Sequence, residues 1–321
     1  MLVGTWNLEN LYRPGGPYGP RDKATYEAKL ASLAATVNSL SPTLLGVQEI
    51  GDPAALDDLV QLLDGDYTAT LSQYPDERGI RVGFLGDVGV RVVADTAAFP
   101  EAVRPVQVDD GGGRTTDRAG RGVLAVHFST RATWLTAAVC HLKSKLLGYP
   151  GGRFVPRDEG ERARYAAYAL ERRAAEAATV RALADTLIGE DGRRERVTVL
   201  GDFNDEMSAA TTQILQGPPG SEIGTPGFDH ADKGDAKRLW NVAPLIPEEQ
   251  RYSRVYEGHR ELIDHIFVSH ELLGHVVRAG TGVPRGEDAV LEPLPSVGAD
   301  PQERRDAPGS DHAPVWIDLR P

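Results

Sequence analysis

Five apolar runs in this sequence each stop at, or start from, a side chain able to bind a cation or move a proton: Asn7, Glu49, His141, Asp202 with Asn204, and Asp311 with His312. Polar groups placed without a common purpose would fall on helices and loops as well. Their position at strand ends points to sheet strands that deliver chemistry to one rim. The run from Val197 to Glu206 shows the pattern most compactly. Val-Thr-Val-Leu ends in Gly201, and Asp202, Asn204 and Asp205 follow at once. If the strand pleat continues past Gly201, Asp202 and Asn204 point to the same side, an anionic oxygen beside an amide, which suits a hard cation next to a phosphate. Taken alone, Gly-Asp-Phe-Asn-Asp also reads as a turn, because Gly, Asn and Asp are the usual turn formers.

Taken in order, the chain predicts an α/β protein. Strands are expected at Leu2 to Trp6 and Thr43 to Val47, with a helix from about Lys23 to Leu40 between them that puts Leu30, Leu33 and Val37 on one face. A second helix follows at Ala54 to Leu63, then strands at Tyr67 to Leu71, Arg81 to Leu85 and Val90 to Val93. Residues 109 to 120 form a Gly-, Asp- and Arg-rich loop. Gly122 to Phe128 and Thr133 to Cys140 make a hairpin. A long helix runs from about Glu159 to Leu187, its arginines at 162, 164, 172, 173 and 181 reading as a solvated face. A short helix is expected at Glu206 to Leu215, and irregular surface from 217 to 250. Ile263 to Val268 reads as a strand with Asp264 and Phe267 on opposite faces. A long loop covers about Val283 to Gly309, and Ala313 to Leu319 closes the chain as a strand. No composition break marks a linker, so residues 1 to 321 read as one domain.

Composition narrows the function classes. No apolar run approaches a membrane span, and the N-terminus has no basic-then-apolar leader, so a cytoplasmic protein is expected. The single cysteine, Cys140, cannot form an internal disulfide and reads as a packed thiol. A formal charge of -12 argues against a broad surface that coats nucleic acid, though not against a small site where a metal ion does the neutralising. There is no zinc-type Cys and His spacing, no Gly-rich phosphate loop and no nucleophile elbow. Arg78 and Arg81 flank Gly79 and either face an anion or are solvated. Lys143 and Lys145 either grip a phosphate or are solvated.

Six motifs then stand in a familiar order: Trp-Asn-Leu-Glu-Asn at 6 to 10, Val-Gln-Glu at 47 to 49, His-Leu-Lys-Ser-Lys at 141 to 145, Gly-Asp-Phe-Asn-Asp at 201 to 205, Ile-Asp-His-Ile at 263 to 266 and Gly-Ser-Asp-His-Ala-Pro-Val at 309 to 315. Together they resemble the endonuclease/exonuclease/phosphatase superfamily, which has the fold of deoxyribonuclease I. The resemblance implies a four-layer α/β/β/α sandwich of two mixed sheets with the site at one end. It further implies that Glu49 holds a divalent cation, Mg²⁺ or Mn²⁺, with Asn7 and Asp311 as further ligands or just outside them. Asp202 would orient or deprotonate the attacking water, and Asn204 would position that water or a phosphate oxygen. His312 would contact the scissile phosphate or act as base, its ring held by Asp264. His141 falls where some members use a histidine as general acid or phosphate ligand.

The superfamily's substrates range from nucleic acids to lipid headgroups. Both the His-Leu-Lys-Ser-Lys form and Asp-Glu-Arg-Gly-Ile-Arg-Val-Gly-Phe-Leu at 76 to 85 resemble bacterial nuclease-like members. The expectation is therefore a monomeric nuclease acting on DNA, with RNA as a second possibility and no membrane partner. Acidic balance and the lack of aromatic residues among the basic clusters favour a small-molecule or lipid-headgroup phosphoesterase as the alternative. A binding module that had lost catalysis would lack a ligand or base, and none is missing. An interaction protein of effector type is disfavoured by the lack of a leader.

Overall fold

A computed structural model describes the chain apart from residues 112, 130–131, 232–233, 286–287, 291–292, 301–302 and 321. Among the described residues, alternating apolar positions build two six-stranded mixed sheets. The strands are β1 (Leu2–Leu11), β2 (Leu44–Ile50), β3 (Thr68–Leu71), β4 (Arg81–Gly86), β5 (Arg91–Ala98), β6 (Arg118–Ser129), β7 (Trp134–His141), β8 (Val197–Asp202), β9 (Trp240–Asn241), β10 (Asp264–Val268), β11 (Val276–Thr281) and β12 (Val315–Leu319). One sheet runs β11-β12-β1-β2-β4-β3 and the other β9-β10-β8-β7-β6-β5. In each, one parallel pair at the centre, β1 with β2 and β7 with β8, is extended by antiparallel neighbours.

Strand parity decides what lies between the sheets. Val3, Leu44 and Phe84 from one sheet meet Val126, Val139, Leu200 and Ile266 from the other in a shared core. Each such side chain, fully removed from water, contributes roughly 1.5–3 kcal/mol. The opposite faces carry helices. α1 (Lys23–Leu40) and α2 (Pro53–Val60) lay Leu33, Val37, Leu56 and Leu59 on Trp6, Leu45 and Val47. α3 (Glu159–Ile188) lays Ala177, Val180, Ala184 and Ile188 on Cys140, Val199 and Phe267. The result is the expected four-layer α/β/β/α sandwich. The sheets approach closely at Gly46, where a β-carbon would lie 2.1 Å from Leu200 Cδ1.

Several expectations need correction. Residues 217 to 250 are not all irregular surface: β9 joins the second sheet, and Trp240, Val242 and Ile246 are buried in the shared core. The Pro- and Gly-rich stretch beyond Val283 contains short strands at Val283–Arg285, Asp288–Val290 and Ser296–Val297, while parts of it lie outside the described residues. The 109 to 120 loop includes a two-residue strand, Thr115–Thr116, and is tied to α3 through Asp109, Asp110, Tyr165 and Arg164. The helix at Glu206 to Leu215 shrinks to Ala210–Gln213. Arg173 is not on a solvated face; it is buried and paired with Asp205 at 2.9 Å.

Candidate active site

Register places three of the site residues on one rung. Asp202, the last residue of β8, stands opposite His141 at the end of β7 and opposite Asp264 at the start of β10. The parity that turns Val139, Leu200 and Ile266 into the shared core turns these three the same way. On the facing sheet, Asn7 shares the parity of Val3, and its Nδ2 donates across the gap to Asp202 Oδ2 at 2.9 Å. His141 Nε2 lies 3.3 Å from the same oxygen. The loop before β12 adds the fifth group: His312 Nδ1 is 2.7 Å from Asp264 Oδ2. That loop is pinned to β1 from both sides. Ser310 Oγ donates to Asn7 O at 2.6 Å, and Trp6 Nε1 donates to His312 O at 2.8 Å.

The remaining groups are presented by breaks in the strands. β1 and β2 slip register between Asn7 and Leu11 and between Val47 and Ile50. Within those bulges Glu9, Asn10 and Glu49 have left-handed backbone, with φ of 49°, 50° and 62°. Bulges redirect side chains that a regular pleat would bury elsewhere. The half-buried Glu49 is thereby held by the Asn10 N–H at 2.8 Å, and Glu9 accepts from the Asp311 N–H at 2.9 Å while Arg304 clasps it with two nitrogens. Asp311 itself lies 3.7 Å from Arg254 Nε and 4.0 Å from His312 Nε2.

The pleat does not continue past Gly201 to Asn204. Asn204 also has a left-handed φ, 52°, and its N–H donates back to Asp202 Oδ1 at 2.8 Å. Its Nδ2 donates to Leu142 O at 3.0 Å, so Asn204 fixes the loop after His141 as well as Asp202. The turn reading and the site reading of this segment were not alternatives; the turn shapes the site. Lys143 and Lys145 are both engaged. Lys143 Nζ donates to Ser144 O and Leu146 O, each at 2.8 Å, and Lys145 pairs with Asp205 at 3.1 Å.

Burial sets the electrostatics. It pushes the Asp202 carboxyl up to about 7, with the nearby Asp264 charge adding to the rise. Burial pulls His312 down, but Asp264 and Asp311 outweigh it and hold the imidazole at about 10. His141 is driven well below 6.5 by burial and by Arg121 and His312, and is therefore neutral. Burial alone would raise Glu49, yet Arg121, Arg78, the Asn10 N–H and His312 hold it below the usual carboxylate range. An ionised Glu49 and a protonated His312 thus coexist at neutral pH beside a carboxyl poised near 7.

The donor set fits a hard divalent cation. Asp202, Asp264 and His312 offer ligand atoms within 4.8 Å of one another. Two of them already serve each other through the 2.7 Å contact, so this trio is a weaker cage than its spacing suggests. Glu49 and Asp311 are further carboxylates whose contacts engage only part of their oxygens: Glu49 accepts from the Asn10 N–H, and Asp311 lies 3.7 Å from Arg254 Nε. Asp264 Oδ1 is buried without a hydrogen-bond partner, and Asp202 has no lysine or arginine ion pair among the described residues. That excess of buried negative charge is what a bound cation offsets. Asn7 is committed at both ends, Nδ2 to Asp202 and Oδ1 to the Glu9 N–H at 2.9 Å.

A model of the endonuclease/exonuclease/phosphatase family matches residues 4–312. The chain belongs to that family. It is accordingly a phosphoester hydrolase that depends on a divalent metal. No curated protein matches it. Solved structures confirm the deoxyribonuclease I-like fold at low identity. The mannosyl-6-phosphatase of Bacteroides thetaiotaomicron is 16% identical, with a TM-score of 0.53 over 100% of this chain and 99% of that one. Truncated Caenorhabditis elegans TDP2 is 13% identical, with a TM-score of 0.52 over 98% and 96%. The human Nocturnin catalytic domain with bound sulfate is 15% identical, with a TM-score of 0.52 over 100% and 94%.

Some groups at the site went unseen in the sequence. Arg121, Arg254 and Arg304 come from strand and loop positions with no motif of their own, and only the fold brings them to Glu49, Asp311 and Glu9. Arg78 was visible as an arginine beside a turn glycine, and it sits next to Asn10. Tyrosines and arginines that are distant in sequence also stack: Arg78 lies 5.8 Å from the Tyr18 ring centre, and Arg118 lies 5.8 Å from that of Tyr74. Of these pairs, Arg78 with Tyr18 lies beside Asn10.

Proposed function

We propose that this family member is a nuclease that hydrolyses phosphodiester bonds of DNA by in-line attack of water, with Mg²⁺ or Mn²⁺ as its cofactor. The observation that carries the reading is the 2.7 Å Asp264–His312 contact placed beside Asp202, which pairs a fixed cation with a titratable carboxyl. Asp202, ionised above about pH 7, takes the proton of the attacking water, held in place by Asn7 and the Asn204 N–H. His312, kept protonated by Asp264 and Asp311, donates a hydrogen bond to a nonbridging oxygen, where charge builds as the water oxygen bonds to phosphorus and the bond to the leaving oxygen breaks, releasing an alkoxide that solvent protonates. This division of labour supports Asp202 rather than His312 as the base. Neutral His141, 3.3 Å from Asp202, positions that carboxylate or a phosphate oxygen. Glu49 and Asp311 would hold the cation, which supplies charge neutralisation at the scissile phosphate when bound.

Arg78 over Tyr18 and Arg118 over Tyr74 support nucleic acid as substrate, since a cation beside a ring suits a backbone phosphate beside a base. The charge of -12 favours the second reading, a small phosphate ester whose binding needs few phosphate contacts. A panel of single- and double-stranded DNA, RNA, a phosphomonoester and a sphingolipid, each with Mg²⁺, Mn²⁺ or chelator, separates the two. DNA cleavage that needs the metal and weakens steeply with salt is expected. Turnover confined to a small ester and insensitive to salt would overturn the nuclease reading.

A further inference from the structure

Two arginines that the hydrolytic scheme does not use converge on one acid at the edge of the site. Asp76 Oδ1 accepts from the Arg78 and Ile80 N–H groups, each at 2.9 Å, and so closes the turn that carries Arg78. Its other oxygen lies 3.4 Å from Arg121 Nε on β6. One carboxylate thus ties the turn that carries Arg78 to the Arg121 side chain, and both guanidinium charges act on Glu49. Arg78 Nη1 lies 3.4 Å from Oδ1 of Asn10, the residue whose N–H holds Glu49. Arg121 Nη1 lies 3.4 Å from the Leu142 carbonyl that Asn204 also grips, one residue beyond His141.

Both contacts sit at the long limit for hydrogen bonds. A guanidinium carries five N–H donors in a rigid fork, so most of this capacity is uncommitted. Asp76 is paired with Arg121, which leaves Arg78 no carboxylate of its own among the described residues, only the ring of Tyr18 beneath it. In contrast, Lys143, Arg173 and Arg304 each make contacts of 3.0 Å or shorter to protein oxygens. Two under-bonded guanidinium groups beside Glu49 match a second anion of phosphate geometry.

We propose that Arg78 and Arg121 clamp a second phosphate of the substrate, the neighbour of the scissile one. Preferred substrates are then diesters that carry an adjacent phosphate. The proposal rests on the nuclease reading above, and it adds a rule of substrate choice to it.

Two probes separate the clamp from the chemistry: the dinucleotides d(TpT) and 5′-phosphorylated d(pTpT), each titrated calorimetrically in chelator. The wild-type protein should bind d(pTpT) at least about tenfold more tightly than d(TpT). Arg78→Gln and Arg121→Gln should each shrink that ratio to within about threefold, and kcat/KM ratios with Mg²⁺ should follow through KM. Thermal melts identify a variant that fails to fold. Arg78→Lys and Arg121→Lys then serve instead, keeping the charge, losing the fork and giving intermediate ratios. Equal wild-type affinities, or a full ratio retained in the variants, would overturn the clamp. So would equal losses on both dinucleotides, because the arginines would then merely support Glu49. If the wild-type protein shows the binding ratio but cleaves no diester with metal, the nuclease reading falls while the clamp stands.

Discussion

Individual side chains here are tuned by what surrounds them rather than by their type. Asp202 and Asp264 are both buried aspartates on adjacent strands, yet Asp264 is tied to His312 and Asp202 to the neutral amide of Asn7. Burial and the nearby Asp264 charge push the Asp202 carboxyl up to about 7, and in the proposed mechanism it works when ionised, so kcat/KM should rise as pH increases through about 7. His312 works when protonated and is held at about 10, so the rate should fall again as pH passes that value. Asp264→Asn removes the largest cause that raises His312. Its descending limb should therefore move to lower pH, with kcat reduced by about two orders of magnitude. Profiles of kcat/KM between pH 5 and 10.5 for both proteins check this. A descending limb that stays in place would show that Asp264 does not set the imidazole.

At the level of elements, strand ends and their turns do the positioning. Gly201 has a φ of 151°, and a β-carbon there would lie 2.0 Å from the Cys140 carbonyl oxygen on the neighbouring strand. Backbone cannot move aside as a side-chain tip can. Gly201→Ala should therefore destabilise the fold by about 2 kcal/mol or more, read from the urea midpoint, and misplace Asp202. A midpoint within experimental scatter of the wild type would mean that β7 and β8 tolerate a wider spacing. The same elements show what was legible in the sequence. The α1 stripe of Leu30, Leu33 and Val37 and the alternation in β7 and β8 revealed their elements because burial repeats with the period of the backbone. Asn7, His141 and Asp202 were legible as strand ends for the same reason, while the role of Asp264 came through its motif. Bulges have no period, so the left-handed turns that aim Glu9, Asn10 and Glu49 could not be read, although Glu49 itself was legible as the end of an apolar run. Trp240, Val242 and Ile246 were hidden by the glycine, proline and charge around them, although they enter the core.

Across the whole molecule, each of the two sheets supplies part of the candidate site. Asn7, Glu49 and Asp311 belong to or adjoin the first sheet, while His141, Asp202 and Asp264 belong to the second. The shared core of Val3, Phe84, Val139 and Leu200 holds them in register, and Gly46 lets the sheets come close enough for the Asn7–Asp202 bond. No described helix is long and apolar enough to cross a membrane. Clustered carboxylates destabilise the metal-free fold, so a cation that binds only the folded state should raise Tm in proportion to the logarithm of its concentration. The central claim is that groups from both halves act together, with the metal, on one phosphodiester. Its most direct measurement is cleavage of a labelled DNA strand by the wild-type protein, Glu49→Ala and His312→Ala across a Mg²⁺ titration, with melts confirming that all three fold. The account predicts wild-type cleavage that rises with Mg²⁺ and stops in chelator, and losses of at least about a hundredfold in each variant. Wild-type rates in either folded variant, or undiminished cleavage in chelator, would contradict it.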